Sequence, residues 1–132
     1  MFYRKILYLI GFTLFFAGNV HGQDGGALYL EHCARCHQPN GEGWGFDVPQ
    51  LMGSRILNGP DEALIEFVLL GTENRDNFTT DFIIGMPTFQ NLEDKEIAAI
   101  LTYIRKSFGE DGTAISKEAV GTVKGMKISQ KP

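Results

Sequence analysis

The sequence predicts an all-α domain in which three main helices are separated by two long loops. Three segments carry apolar residues at helical spacing, bounded by turn and cap residues. Residues 38–59 and 71–90 are instead rich in glycine, proline and polar side chains, which indicates ordered loops. Strand patterns are nearly absent. So few helices bury little apolar area, and loops of this length usually enclose something, so we expect a group other than protein to complete the core.

The three helices are predicted from their apolar positions and their ends. The first covers residues 25–35, and the second covers residues 60–70, with proline at its start and glycine just beyond its end. The third begins after Asn91, which can cap it, and stops at Gly109. This third helix is the strongest prediction because it carries one apolar stripe, formed by Ile97, Ile100, Leu101, Ile104 and Phe108.

The N-terminus has the pattern of a secretory signal peptide. Two basic residues precede an apolar run over residues 6–17, which matches the hydrophobic part of such a signal. A membrane-spanning helix needs about 20 apolar residues, so an uncleaved anchor is the weaker alternative. We expect cleavage after Gly22, with Gly18 as the alternative position. The sequence therefore predicts a signal peptide over residues 1–22 and a periplasmic or otherwise exported protein.

The rest of the chain is predicted to form one domain, residues 23–111, and a C-terminal extension, residues 112–132, with a short helix over about 116–124 and a disordered end. Hydrophobic residues at 43% and charged residues at 21% are typical of a globular protein. The domain has a formal charge of −9 and the extension one of +3. Such an acidic body argues against nucleic acid as a partner.

Cys33, Cys36 and His37 form the motif CxxCH, which attaches a c-type haem. Two thiols separated by two residues reach the two vinyl positions on one edge of the porphyrin, and the next residue then lies under the iron. His37 is therefore the expected proximal ligand of the iron. The expected cofactor is one haem c, bound covalently through Cys33 and Cys36.

Three other uses of this motif are possible from the sequence. A zinc site would have only these three residues and His32, without the second pair of ligands that zinc folds normally supply. A thioredoxin-type dithiol should follow a strand, whereas this pair follows a predicted helix. The third alternative is a plain structural disulfide. The adjacent histidine, the predicted export and the small protein core favour haem.

The chain resembles the class I c-type cytochromes over residues 25–109. Gly25 and Tyr29 precede Cys33 by eight and four residues, as in the N-terminal helix of that family. In the family this glycine permits a close crossing by an aromatic residue of the C-terminal helix, and Tyr103 is the matching aromatic here. The resemblance implies the class I cytochrome c fold, with three main helices and two long loops that wrap the covalently bound haem.

The resemblance also implies the remaining haem contacts. Pro49 stands twelve residues after His37, the spacing at which the family's proline carbonyl accepts a hydrogen bond from Nδ1 of the ligand histidine. Leu51 matches the leucine that packs on the porphyrin. Residues 84–87 resemble the family's methionine loop, so Met86 is the expected sixth ligand, and its neutral thioether suits reduced iron.

Four further side chains have less specific assignments. Trp44 and Arg55 are expected to hydrogen-bond the haem propionates, because both lie in the first loop and arginine pairs well with carboxylates. Ordinary packing is the alternative for Trp44. Met52 is expected to fill the core, and Met126 is expected to lie without packing partners in a polar tail.

A haem iron held by His37 and Met86 has no open position, so the resemblance implies a single-electron carrier and not an enzyme. The expected partners are a redox donor and acceptor, such as a dehydrogenase, a reductase or a terminal oxidase. We expect a monomer with no membrane span after signal cleavage. The alternatives are a haem subunit dedicated to one exported oxidoreductase and a haem enzyme or gas sensor with open iron.

Overall fold

The protein is described by a computed structural model that covers residues 24–72 and 85–128. The predicted signal peptide lies outside the described residues. Within them the chain forms α1 (Gly25–His32), α2 (Ala34–His37), α3 (Asp61–Leu70), α4 (Asp94–Phe108) and α5 (Lys117–Ile128). Extended pairing in this part of the chain is limited to one isolated bridge between Trp44 and Val48. The prediction of an all-α fold is confirmed.

The helix starts follow local capping chemistry. The side chain of Asp24 accepts hydrogen bonds from the backbone N–H groups of the next turn and so begins α1. The predicted cap of α4 at Asn91 is wrong, because the helix begins two residues after Leu92. There Glu93 is the cap residue, and its backbone N–H donates to the carboxylate of Glu96 at 2.8 Å. The side chain of Glu93 in turn accepts from the backbone N–H of Glu96, so the two residues cap the helix reciprocally.

The crossing of α1 and α4 depends on Gly25 and a cluster of aromatic rings. A Cβ atom added at Gly25 would collide with the carbonyl oxygen of Ala99 and lie 3.0 Å from Cβ of Tyr103. Only glycine therefore permits this approach of the two helices. The ring of Tyr29 packs 5.3 Å from that of Tyr103 and 5.5 Å from that of Phe108, measured between centroids. This crossing places the segment that follows α1 against the end of α4.

The C-terminal extension packs on the domain through α5. Ile115, Val120 and Val123 are buried in the same hydrophobic cluster as the apolar faces of α3 and α4. The predicted helix over 116–124 thus appears as α5 and extends to residue 128. The predicted disordered end falls largely on residues 129–132, which lie outside the described residues.

Two lysines of α5 form ion pairs with the acidic body. Lys124 Nζ lies 2.9 Å from the carbonyl oxygen of Leu92 and 3.2 Å from the carboxylate of Asp94. Lys127 pairs with Glu66 of α3 at 3.1 Å. The basic charge of the extension is therefore used partly within the fold rather than displayed as a separate basic surface.

A buried arginine connects α4 to the loop that precedes α3. Arg105 is 2% exposed, and its Nε donates to the carbonyl of Leu57 at 3.2 Å. The rest of its guanidinium donates to the carbonyl of Gly59 at 2.6 Å and pairs with the carboxylate of Asp61. A buried charge with several acceptors is stable only when its geometry is retained. Arg105 therefore fixes this loop against α4.

Candidate functional site

A cavity of about 270 Å³ lies among α3, α4 and the two loops. Native interiors have few voids larger than a water molecule, so an apolar cavity of this size beside the core is suited to a bound group. Its walls include the apolar face of α3, with Leu64, Phe67 and Val68, and that of α4, with Ile100, Leu101 and Ile104. Six of the residues predicted to form the site also line it: Cys33, Cys36, His37, Pro49, Leu51 and Met86.

The two cysteines lie at this cavity as free thiols, not as a disulfide. Burial, together with the nearby Cys36, raises the pKa of the Cys33 thiol to about 12. A reactive dithiol needs a lowered pKa, so this environment does not suit a thioredoxin-type function. Within residues 24–72 and 85–128, no three side chains from among histidine, cysteine, aspartate and glutamate gather as a metal cluster. The structure therefore gives no support to the zinc alternative.

His37 is oriented by the carbonyl of Pro49. Its Nδ1 lies 3.3 Å from that oxygen. Burial lowers the pKa of His37, and the hydrogen bond to Pro49 acts in the opposite direction. A neutral imidazole beside a carbonyl oxygen must carry its proton on Nδ1, which leaves the lone pair of Nε2 for a metal.

A tight turn holds Pro49 in place beneath the histidine. Gly43, with a φ of 66°, donates from its N–H to the carbonyl of His37 at 3.0 Å. A Cβ atom at this position would collide with the carbonyl of Val48 and approach that of Pro49 to 2.8 Å. The N–H of Trp44 donates to the same Val48 carbonyl at 2.9 Å. The glycine therefore allows the loop to return close enough to orient the imidazole.

The backbone of Met86 is hydrogen-bonded to Thr72, just beyond the end of α3. Its N–H donates to Oγ1 of Thr72 at 2.7 Å, and its carbonyl accepts from the N–H of Thr72 at 2.9 Å. Gly71, with a φ of 63°, lies directly against the carbonyls of Met86 and Pro87. These contacts place a half-buried methionine at the same cavity as the CxxCH motif.

A family model described as "Cytochrome c" matches residues 22–108, which is more than half of the chain. The chain belongs to the cytochrome c family. The class I c-type cytochrome expected from the sequence is confirmed, and membership implies covalently bound haem c.

Several curated cytochromes are similar to this one. The fructose dehydrogenase cytochrome subunit of Gluconobacter japonicus is 38% identical over 112 residues, which cover 76% of this chain and 22% of that subunit. The cytochrome c subunit of the quinone alcohol dehydrogenase of Gluconobacter oxydans is 30% identical over 111 residues, which cover 83% of this chain and 22% of that subunit. The cytochrome c-552 of Thermus thermophilus is 37% identical over 92 residues, which cover 66% of this chain and 70% of that protein. The chain thus spans about a fifth of each Gluconobacter subunit and most of the Thermus protein.

The residues that line the cavity of this cytochrome fit the implied haem in their chemistry. Its walls are mainly apolar, as a porphyrin ring requires, and two free thiols lie at its edge. The same walls carry an imidazole and a thioether, the two side chains that hold the iron in His/Met cytochromes.

Trp44 and Arg55 do not line the cavity of the cytochrome. Trp44 is 55% exposed, and Arg55 is also exposed in the first loop. Propionates extend outward from a haem, so their contact with these two side chains stays a prediction. His32, at the end of α1, is half-buried and contributes to the cavity wall.

The prediction that Met52 fills the core is wrong. Its side chain is 45% exposed, because the residue lies in a turn closed by the N–H of Ser54, which donates to the carbonyl of Leu51 at 3.1 Å. Leu51 takes the position at the cavity wall, and the following residue faces outward. Met126, expected in a polar tail without packing partners, lies instead on α5, which packs on α3 and α4, and it is 42% exposed there.

Sequence reasoning missed two residues that support the site. Thr72, which bonds Met86, follows a helix end in a polar segment and carries no motif that distinguishes it. Arg105 did have a signal, since it lies four residues after Leu101 and thus on the apolar stripe of α4. A charged residue at such a position indicates a buried ion pair or hydrogen-bond network.

Proposed function

We propose that the protein is an exported single-electron carrier whose haem c is attached through Cys33 and Cys36, with His37 and Met86 as iron ligands. The observation that carries this proposal is that all four side chains line one apolar cavity. When bound, the haem supplies reversible one-electron oxidation and reduction of its iron. With His37 and Met86 both bound to the iron, no position would remain for a substrate, so the proposal makes the protein a carrier and not an enzyme.

The residues around the ligands support this function by limiting rearrangement. The hydrogen bond from His37 to Pro49 fixes the ring and its tautomer. Thr72 holds the backbone of Met86, and Arg105 holds the loop that contains Leu57, another wall residue. The apolar faces of α3 and α4 line the cavity and would keep water from a bound haem. A site that changes little between oxidation states suits fast electron exchange.

Visible spectra of the purified oxidised and reduced protein test the proposal. We expect a low-spin c-type spectrum with the weak red band of methionine sulfur on ferric iron. A high-spin ferric spectrum without that band would contradict the proposal. It would favour the haem enzyme or gas sensor with open iron.

The second candidate is a haem subunit dedicated to one oxidoreductase. It is favoured by the similarity to the fructose dehydrogenase and alcohol dehydrogenase cytochrome subunits. Purification of the native protein from its host distinguishes the two. A stoichiometric complex with one dehydrogenase supports the dedicated subunit, whereas a free monomer that exchanges electrons with separate donors and acceptors supports the diffusible carrier.

Export to the periplasm and cleavage after Gly22 form part of the proposal. They are supported by the basic residues and apolar run of the N-terminus. Within the described ranges, no helix has the length and apolarity needed to cross a membrane.

Electron exchange with a basic partner is expected to slow as salt is added. Residues 23–111 have a formal charge of −9, and electrostatic steering can raise association rates by about 10- to 1,000-fold. This attraction is screened beyond about 8 Å at physiological ionic strength. We therefore expect at least a tenfold fall in the association rate from low to high salt, measured by stopped-flow absorbance.

An uncharged small-molecule reductant is the control for this measurement, since its rate should change little with salt. A rate with the protein partner that is flat or rises with salt would show that the acidic body does not steer docking.

A further inference from the structure

The backbone of Met86 is held by Thr72 through two hydrogen bonds that run in opposite directions. The N–H of Met86 donates to the Thr72 hydroxyl oxygen, and the N–H of Thr72 donates to the carbonyl of Met86. Together they fix both the distance and the direction of the methionine backbone. We propose that Thr72 is a positioning residue that keeps Met86 on the iron, an inference that rests on the proposed function.

Thr72 can serve this role because it is joined to a rigid helix. Gly71 ends α3, and its N–H donates to the carbonyl of Phe67 at 2.9 Å. Its positive φ and its lack of a side chain let the methionine loop lie directly on the end of the helix. Leu64 and Leu69 bury α3 in the core. The position of Met86 is therefore fixed relative to a helix that is packed in the core, and not by the loop alone.

Chain connectivity makes this attachment important. Residues 72 and 86 are separated by thirteen residues, so without the two bonds their proximity would cost the entropy of closing a loop of that length. One of the two bonds uses only backbone atoms. The other needs the threonine hydroxyl, and its loss would leave the half-buried N–H of Met86 without that acceptor. States in which the methionine has left the iron would then become more populated.

Displacement of the methionine by added imidazole measures this population in the oxidised holoprotein. Thr72→Val keeps the size and branching of the side chain but removes the hydroxyl acceptor. We expect it to raise the apparent affinity for imidazole about tenfold, the effect of one lost hydrogen bond to a partly buried group. Thr72→Ser retains the hydroxyl and is expected to bind imidazole with nearly the wild-type affinity.

Thr102→Val is the matched control. Thr102 Oγ1 also accepts a backbone N–H, that of Ile115, at 2.9 Å, and it also donates to the carbonyl of that residue. Thr102 joins α4 to the segment before α5 and does not line the cavity. Thr102→Val should lower the free energy of unfolding about as much as Thr72→Val does, because each loses one hydrogen bond. It should leave the imidazole affinity within twofold of wild type.

Three results would overturn the inference: an unchanged imidazole affinity in Thr72→Val, a failure of Thr72→Ser to restore it, or an equal increase in Thr102→Val. The red methionine-to-iron band separates this outcome from failure of the proposed function. If wild type shows the band and Met86→Ala lacks it, the ligand assignment holds even when Thr72→Val changes nothing. If wild type lacks the band, the proposed ligation itself fails.

Discussion

Replacing both cysteines, as in Cys33→Ser with Cys36→Ser, should leave the chain largely unfolded. Without covalent attachment, the cavity of about 270 Å³ would lose its occupant, and its apolar walls would face a void or water. Apolar surface left in contact with water costs about 25 cal/mol per Å², and the whole stability of a small domain is only about 5 to 15 kcal/mol. Far-UV circular dichroism and thermal unfolding measure the loss.

Arg35→Ser is the matched control for the double cysteine variant. This exposed residue lies between the two cysteines, so its replacement leaves both thiols and the histidine in place. We expect it to bind haem and to unfold cooperatively, as wild type does. A haem-free double cysteine variant with native helix content and a cooperative thermal transition would show that protein contacts alone build the core.

Met86→Ala should remove the sixth iron ligand. We expect the oxidised variant to lose the red methionine-to-iron band and to bind water or added ligands at the vacated position. Its potential should fall, since soft thioether sulfur stabilises reduced iron. Axial ligands set haem potentials over a range of about 0.8 V, so we expect a shift on the order of 0.1 V or more. Redox titration and visible spectra of the same samples measure both effects.

Met52 and Met126 supply the controls, because both residues are exposed and neither lines the cavity. Met52→Ala and Met126→Ala should keep the band and change the free energy of unfolding by about 0.5 kcal/mol or less, as is usual at the surface. Survival of the band in Met86→Ala, with its loss in either control, would mean that the ligand is misassigned.

Local chemistry made much of the fold and site predictable. Cys33, Cys36 and His37 lie within five consecutive residues, so the haem-attachment motif that they form can be identified without knowledge of the fold. Pro60 and Gly71 bracket α3 because proline fixes its own φ at the helix start, whereas glycine readily adopts the positive φ found at the helix end. Gly25 could be placed at a helix crossing only through the family resemblance, and the structure shows the steric reason.

Features that depend on competition or on distant contacts were not predictable. Asn91 and Glu93 were both able to begin α4, and the outcome depended on Glu96 lying where it accepts the N–H of Glu93. Thr72 and Met86 are brought together only by the way the chain returns to α3. The side chain of Met52 faces outward because a neighbouring turn assigns the inward position to Leu51. None of these choices is encoded by spacing alone.

The packing of α5 has a practical consequence for how this cytochrome is produced and dissected. The family match ends at residue 108, yet Ile115, Val120 and Val123 complete the core beyond it. Trimming the gene at the family boundary would remove α5 and expose the sides of α3 and α4 on which it packs. Each buried aliphatic side chain contributes about 1.5 to 3 kcal/mol to the stability of the fold, and that contribution would be lost. A unit to express or to graft onto another protein should therefore retain α5, which ends at residue 128, beyond the limit of the shared sequence pattern.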